Sequence, residues 1–205
     1  MTKYWLTLLL GFTPLLTLAQ NTGDADELLL ALAPIQNLQG SFSQSQFGQD
    51  NLLQAESSGR FRLLRPGYFY WEILTPDEQL IIAGPEYLWH FDRDLETVTR
   101  RPVTSDSQMT PLQILGGDDV ALRENFSIVK QNEDSFLLTP RSPEVGFKQM
   151  TLHMNQAQLA GMEILDNLNQ RIVIKFTELD AQSELAGSDF DFVPPAGADL
   201  FYYDE

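Results

Sequence analysis

Gly59-Arg60-Phe61-Arg62-Leu63-Leu64-Arg65-Pro66-Gly67-Tyr68-Phe69-Tyr70-Trp71-Glu72-Ile73 is the stretch whose pattern decides the fold. Phe61, Leu63, Phe69, Trp71 and Ile73 occupy odd positions, while Arg60, Arg62 and Glu72 occupy even ones. An apolar period of two describes strands with one buried face. Arg65-Pro66-Gly67 is turn chemistry, so the two runs read as strands that keep one parity across that turn.

The same pattern extends along the chain. Turn residues recur at roughly ten-residue spacing, at 48–51, 75–77, 83–85 and 131–134, which predicts an antiparallel meander, sandwich or barrel of about eleven strands. Tyr87, Trp89 and Phe91 alternate with Leu88 and His90. Further on, Met150, Leu152, Met154, Met162, Ile164, Ile172, Ile174 and Phe176 form an apolar set against Lys148, His153, Arg171 and Lys175. Two segments depart from the strand pattern. Asp24, Asp26 and Glu27 precede the leucines of 28–38, which suits a short amphipathic helix with acids at its positive end, bent or ended by Pro34. Thr110 can cap a helix that starts at Pro111 and stops at Gly116, so 111–123 predicts one or two short helices between strands. No repeat or linker divides residues 20–205, which are read as one domain, mainly β with a few helices.

The chain has 205 residues, with 13 Lys or Arg against 29 Asp or Glu, for a formal charge of −16. Such an excess of acid repels phosphate backbones and anionic lipid surfaces, which argues against nucleic acid as a partner. With no Cys there is no disulfide, thiolate metal site or thiol nucleophile. His90 and His153 fall on different strands without carboxylates at ligand spacing, so no metal site is expected. There is no Gly-x-Ser-x-Gly elbow and no phosphate-binding loop. Neither an enzyme nor a cofactor is expected.

Lys3, the apolar run from Tyr4 to Leu18 and the small-residue end Thr17-Leu18-Ala19 have the layout of a secretory signal peptide over 1–19. Pro14 interrupts the run, which is short for a membrane span of about 20 apolar residues. Loss of Lys3 with the leader takes the formal charge from −16 to −17. No later stretch approaches spanning length, so stable membrane insertion is not expected.

Three of the methionines, Met150, Met154 and Met162, sit in the apolar set, where a flexible side chain suits variable apolar shapes as well as plain core. The helices at 28–38 and 111–123 are the candidates to cover that face, with Leu112, Ile114 and Leu115 on the second. Arg65 shares the parity of Phe61 and Leu63. A guanidinium pointing to an apolar side needs acceptors, and the free carbonyls at the C-terminal ends of the covering helices would serve. The alternative is an Arg at a strand end in solvent.

Taken in order, 59–72, Pro76-Asp77-Glu78-Gln79-Leu80-Ile81-Ile82, Leu88-Trp89-His90-Phe91-Asp92, Leu95-Glu96-Thr97-Val98-Thr99, Thr110-Pro111-Leu112-Gln113-Ile114-Leu115 and Phe190-Asp191-Phe192-Val193-Pro194-Pro195 resemble the periplasmic outer-membrane lipoprotein carrier family, LolA. The resemblance implies an unclosed antiparallel β-barrel with a helical lid over its concave apolar face. It also implies a monomer that takes triacylated lipoproteins from an inner-membrane ABC transporter to an outer-membrane lipoprotein receptor. By the same resemblance Arg65 latches the lid, Phe69 matters for productive transfer, and Trp71 and Trp89 are aromatics of the half-barrel. Phe61, Met150, Met154, Met162, Leu112, Ile114 and Leu115 complete the acyl-binding set. The chain departs from the family at Gly84-Pro85-Glu86, where an Asp-Gly-Lys turn is common. It also ends soon after Pro195, which puts an additional C-terminal strand in doubt. The other reading of such a half-barrel is a periplasmic lipid-sensing or regulatory module.

Overall fold

The computed structural model describes residues 23–103, 111–117, 119–143, 145–156 and 158–203; the leader and Thr110 lie outside them. Among the described residues one sheet of twelve strands runs in the order β12-β6-β5-β4-β3-β2-β1-β11-β10-β9-β8-β7 and does not close on itself. The strands are β1 (Asn37–Phe47), β2 (Leu53–Leu64), β3 (Tyr68–Thr75), β4 (Gln79–Ala83), β5 (Tyr87–Asp92), β6 (Thr97–Pro102), β7 (Phe126–Asn132), β8 (Ser135–Pro140), β9 (Phe147–Asn155), β10 (Gln158–Asp166), β11 (Arg171–Asp180) and β12 (Asp199–Tyr202). The helices are α1 (Asp24–Leu32), α2 (Pro111–Gly116) and α3 (Asp119–Asn125). The architecture is the open barrel with a helical lid expected from the sequence.

Two details refine that expectation. Among the described residues the strands number twelve, in keeping with about eleven, but the last, β12, lies beside β6 in parallel rather than antiparallel, with Leu200 opposite Val98. Residues 181–198 make this possible: they leave β11 at one side of β1 and cross the outside of the sheet to its far edge. The first helix is also shorter than 28–38, because Pro34 follows its end and β1 begins at Asn37.

Strand parity survives the 65–67 turn, since Phe61 pairs with Trp71 and Leu63 with Phe69. Gly67 makes the turn at φ +87°, a conformation that an L side chain resists. The β2–β3 register slips between Ser58 and Gly59. A Cβ at Gly59 would lie 1.8 Å from the Glu72 carbonyl oxygen, so the two strands approach there as only glycine allows.

The convex face has its own small apolar cluster, in which Leu80, Ile82 and Phe190 are buried. Beside it Glu72 is only 5% exposed and is held by Arg60 at 3.0 Å and Arg93 at 2.8 Å. Burial pushes its carboxyl up, but hydrogen bonds and attraction from Arg93 and Arg60 outweigh that and leave it below its usual 4.5. A depressed carboxylate stabilises the fold above its unfolded value, and the contribution is lost as the pH falls through the folded value. The Glu72→Gln variant is therefore expected to lose about 2 kcal/mol at pH 7 and to show a flatter loss of stability below about pH 4. Melting temperatures of the two proteins across that range check this.

Candidate functional site

Alternation along the strands builds the concave face. Phe42 of β1, Phe61 of β2, and Phe69 and Trp71 of β3 point inward with Met150, Met154, Met162 and Phe176, and all are buried in one cluster. Trp71 stacks on Phe42 with ring centroids 3.5 Å apart and lies 5.9 Å from Phe69. Leu28, Leu29 and Leu32 of α1, Ile114 and Leu115 of α2 and Leu122 of α3 join the same cluster. Leu112 belongs to α2, but its side chain is outside the described residues. The lid side chains fill the concavity. Burying six of them is worth on the order of 10 kcal/mol.

Arg65 ties the lid to the sheet. Its side chain is 7% exposed. Nε and Nη2 donate to the Gly117 carbonyl at 3.1 and 2.8 Å, Nη1 donates to the Leu32 carbonyl at 3.3 Å, and Nη2 also meets Asp119 Oδ1 at 3.0 Å. The two carbonyls terminate α2 and α1, where helix geometry leaves acceptors without intrahelical donors. The turn beneath is fixed by the backbone: Arg65 N–H donates to Gln36 O and Gly67 N–H to Gly116 O. One side chain thus reaches the ends of α1 and α2 and the first residue of α3 through bonds that are individually modest.

A second fastening lies at the other end of α1. Asp26 meets Arg123 of α3 at 2.5 Å, Glu27 meets Lys130 of β7 at 2.6 Å, and Asp24 accepts the Lys130 backbone N–H at 3.0 Å. Arg123 holds the Asp26 carboxyl below its usual value, and Glu27 raises the Lys130 ammonium. In the sequence these acids read as complements of the helix dipole; nothing local points to bases about a hundred residues away. Asp119 of the latch, Phe42 and Phe176 are not among the site residues expected from the sequence.

Trp89 does not join the concave face. It lies on the convex side in the small cluster, 5.4 Å from Phe192 and 6.4 Å from Tyr202 between ring centroids, with the Arg100 guanidinium 5.6 Å from its ring. Its register partner Ile82 is buried there too. The reason is local: the aromatic parity of β5, with Trp89 and Phe91, faces the convex side under the 181–198 segment, while Leu88 of the other parity packs on the concave core.

The family model described as "Outer membrane lipoprotein carrier protein LolA" matches residues 33–193. The outer-membrane lipoprotein carrier protein of Chromohalobacter salexigens is 31% identical over 188 residues, covering 90% of each chain. That of Methylococcus capsulatus is 36% identical over 168 residues, covering 80% of each. Among solved structures, a LolA superfamily protein from Nitrosomonas europaea superposes with a TM-score of 0.51 at 11% identity, covering 82% of this chain and 97% of its own, which speaks for the fold alone. With that match across the open barrel, its lid and the Arg65 turn, the chain belongs to the outer membrane lipoprotein carrier family, LolA.

Proposed function

We propose that this protein is a non-enzymatic periplasmic carrier whose concave face shelters the acyl chains of lipoproteins. The observation that carries the reading is Arg65, which holds the helical lid over an aromatic and methionine-rich face through displaceable hydrogen bonds. Family membership and the names of the relatives support it. The leader at 1–19 suits export to the periplasm. Cargo would be triacylated lipoproteins loaded by an inner-membrane ABC transporter, which supplies the energy, and passed to an outer-membrane receptor.

Loose binding is part of the reading. Three chains of about 16 carbons, fully matched by a rigid pocket at about 0.8 kcal/mol per CH₂, would exceed the practical limit of about −20 kcal/mol for non-covalent affinity and would not be released. A face that first gives up its own lid contacts binds with the difference. Protein isolated gently from the periplasm is expected to carry triacylated lipoprotein detectable by intact mass spectrometry. Capture of a membrane-bound regulator with no acylated cargo would favour the sensing module instead.

A further inference from the structure

The concave face continues beyond the lid. Register carries Trp71 to Ile81, His90, Thr99 and Phe201 across β3, β4, β5, β6 and β12. A parallel row runs from Ile73 to Gln79, Asp92 and Thr97, and a third from Phe69 to Ala83, Leu88 and Arg101. Directly paired residues share a face, so each row starts in the apolar core and passes to polar groups, the first of them ending at Phe201. Ile81, Ala83 and Leu88 still belong to the core. Past them the surface is a ledge. His90 Nε2 lies 3.2 Å from Gln79 Oε1, Arg101 is exposed with its guanidinium 5.2 Å from the Tyr203 ring centroid, and Phe201 is 52% exposed. The principal helix packing is on β2, β3 and β7, so among the described residues the ledge lies outside the lid.

We propose that this ledge, formed by Gln79, His90, Asp92, Thr99, Arg101 and Phe201, holds the first residues of the cargo polypeptide, those following its acylated residue, as an extended chain leaving the cavity. The inference rests on the acyl-carrier reading and deepens it. A lipoprotein joins an apolar group covalently to peptide amides, and those amides cannot remain in an apolar cavity without partners. Gln79 and Thr99 offer both donors and acceptors, Asp92 accepts and Arg101 donates. Burial lowers the basicity of His90, so the neutral ring adds one donor and one acceptor. This mixture suits backbone groups and both signs of charge, so it does not select a tail by sequence. Phe201 adds an apolar contact that tolerates varied side chains.

Two probes separate this proposal from its parent: a tripalmitoylated cysteine amide with no peptide, and the same group followed by an uncharged Ser-Gly-Ser-Gly tail. The double variant His90→Ala with Thr99→Ala, and separately Arg101→Ala, are expected to weaken binding of the tailed probe roughly tenfold and to leave the untailed probe unchanged. A photoreactive benzoyl side chain at position 201 is expected to cross-link to the tail. Equal effects on both probes, no effect on either, or no cross-link would overturn the proposal. Variants that alter transfer to a receptor but not the affinity for the tailed probe would assign the ledge to a protein partner and overturn it too. Failure of the wild-type protein to bind even the untailed probe would remove the carrier reading and the ledge with it.

Discussion

Arg65→Leu is expected to leave a folded protein that loads acylated cargo but releases it about a hundredfold more slowly. Arg65 makes four contacts with the lowered lid, and in the proposed carrier that lid would compete with cargo for the concave face. Net worth near 1 kcal/mol per bond, discounted for the exposed Asp119, gives about 3 kcal/mol in favour of the cargo-free state. A leucine removes that term without removing apolar surface. The measurement is the rate at which a fluorescent tripalmitoyl lipopeptide passes from the protein to detergent micelles. Arg65→Lys should fall between the two, because one ammonium cannot reproduce a planar fork that reaches both helix ends. An unchanged release rate in Arg65→Leu would show that the latch does not oppose cargo.

Trp71→Ala should cost about 4 kcal/mol of stability, lowering the melting temperature by roughly 10 °C. Trp71 is 2% exposed and touches rings on three sides, Phe42, Phe69 and Phe61, so truncation opens a cavity that β1, β2 and β3 cannot collapse to fill. Trp89→Ala is the informative comparison. On the convex face and half-buried, it should cost about half as much and leave uptake of the tripalmitoyl probe unchanged. Calorimetry with probe binding on both variants tests the two. Equal loss of probe uptake would mean that the convex cluster, too, shapes the cavity.

The sequence carried the concave face wherever one parity was apolar and the other charged. Phe61, Leu63, Phe69 and Trp71 alternate with arginines and Glu72, so their direction was legible, and with it the inward direction of Arg65. The acceptors of Arg65 were foreseeable as helix-end carbonyls, because every helix leaves such groups free. Legibility ended where burial is two-sided or partners are remote. In β5 the aromatic parity faces the convex side, and that placement of Trp89 depends on a segment about a hundred residues later. The parallel position of β12 follows from the path of 181–198 across the outside of the sheet, which leaves no period-two signal. Asp26 and Glu27 satisfied a sufficient local explanation, which hid their pairing with Arg123 and Lys130.

That acidic end of α1 gives the lid a direction. Its ion pairs are partly exposed and individually weak, yet they and the Asp24 contact gather α1, α3 and β7 into one corner. Once Arg65 lets go, the opposite corner, over β2 and β3, has lost its fastening. In the proposed carrier, a lid released by Arg65 and still held at the β7 corner would lift on the side of β2 and β3, so cargo would meet the concave face from that one side.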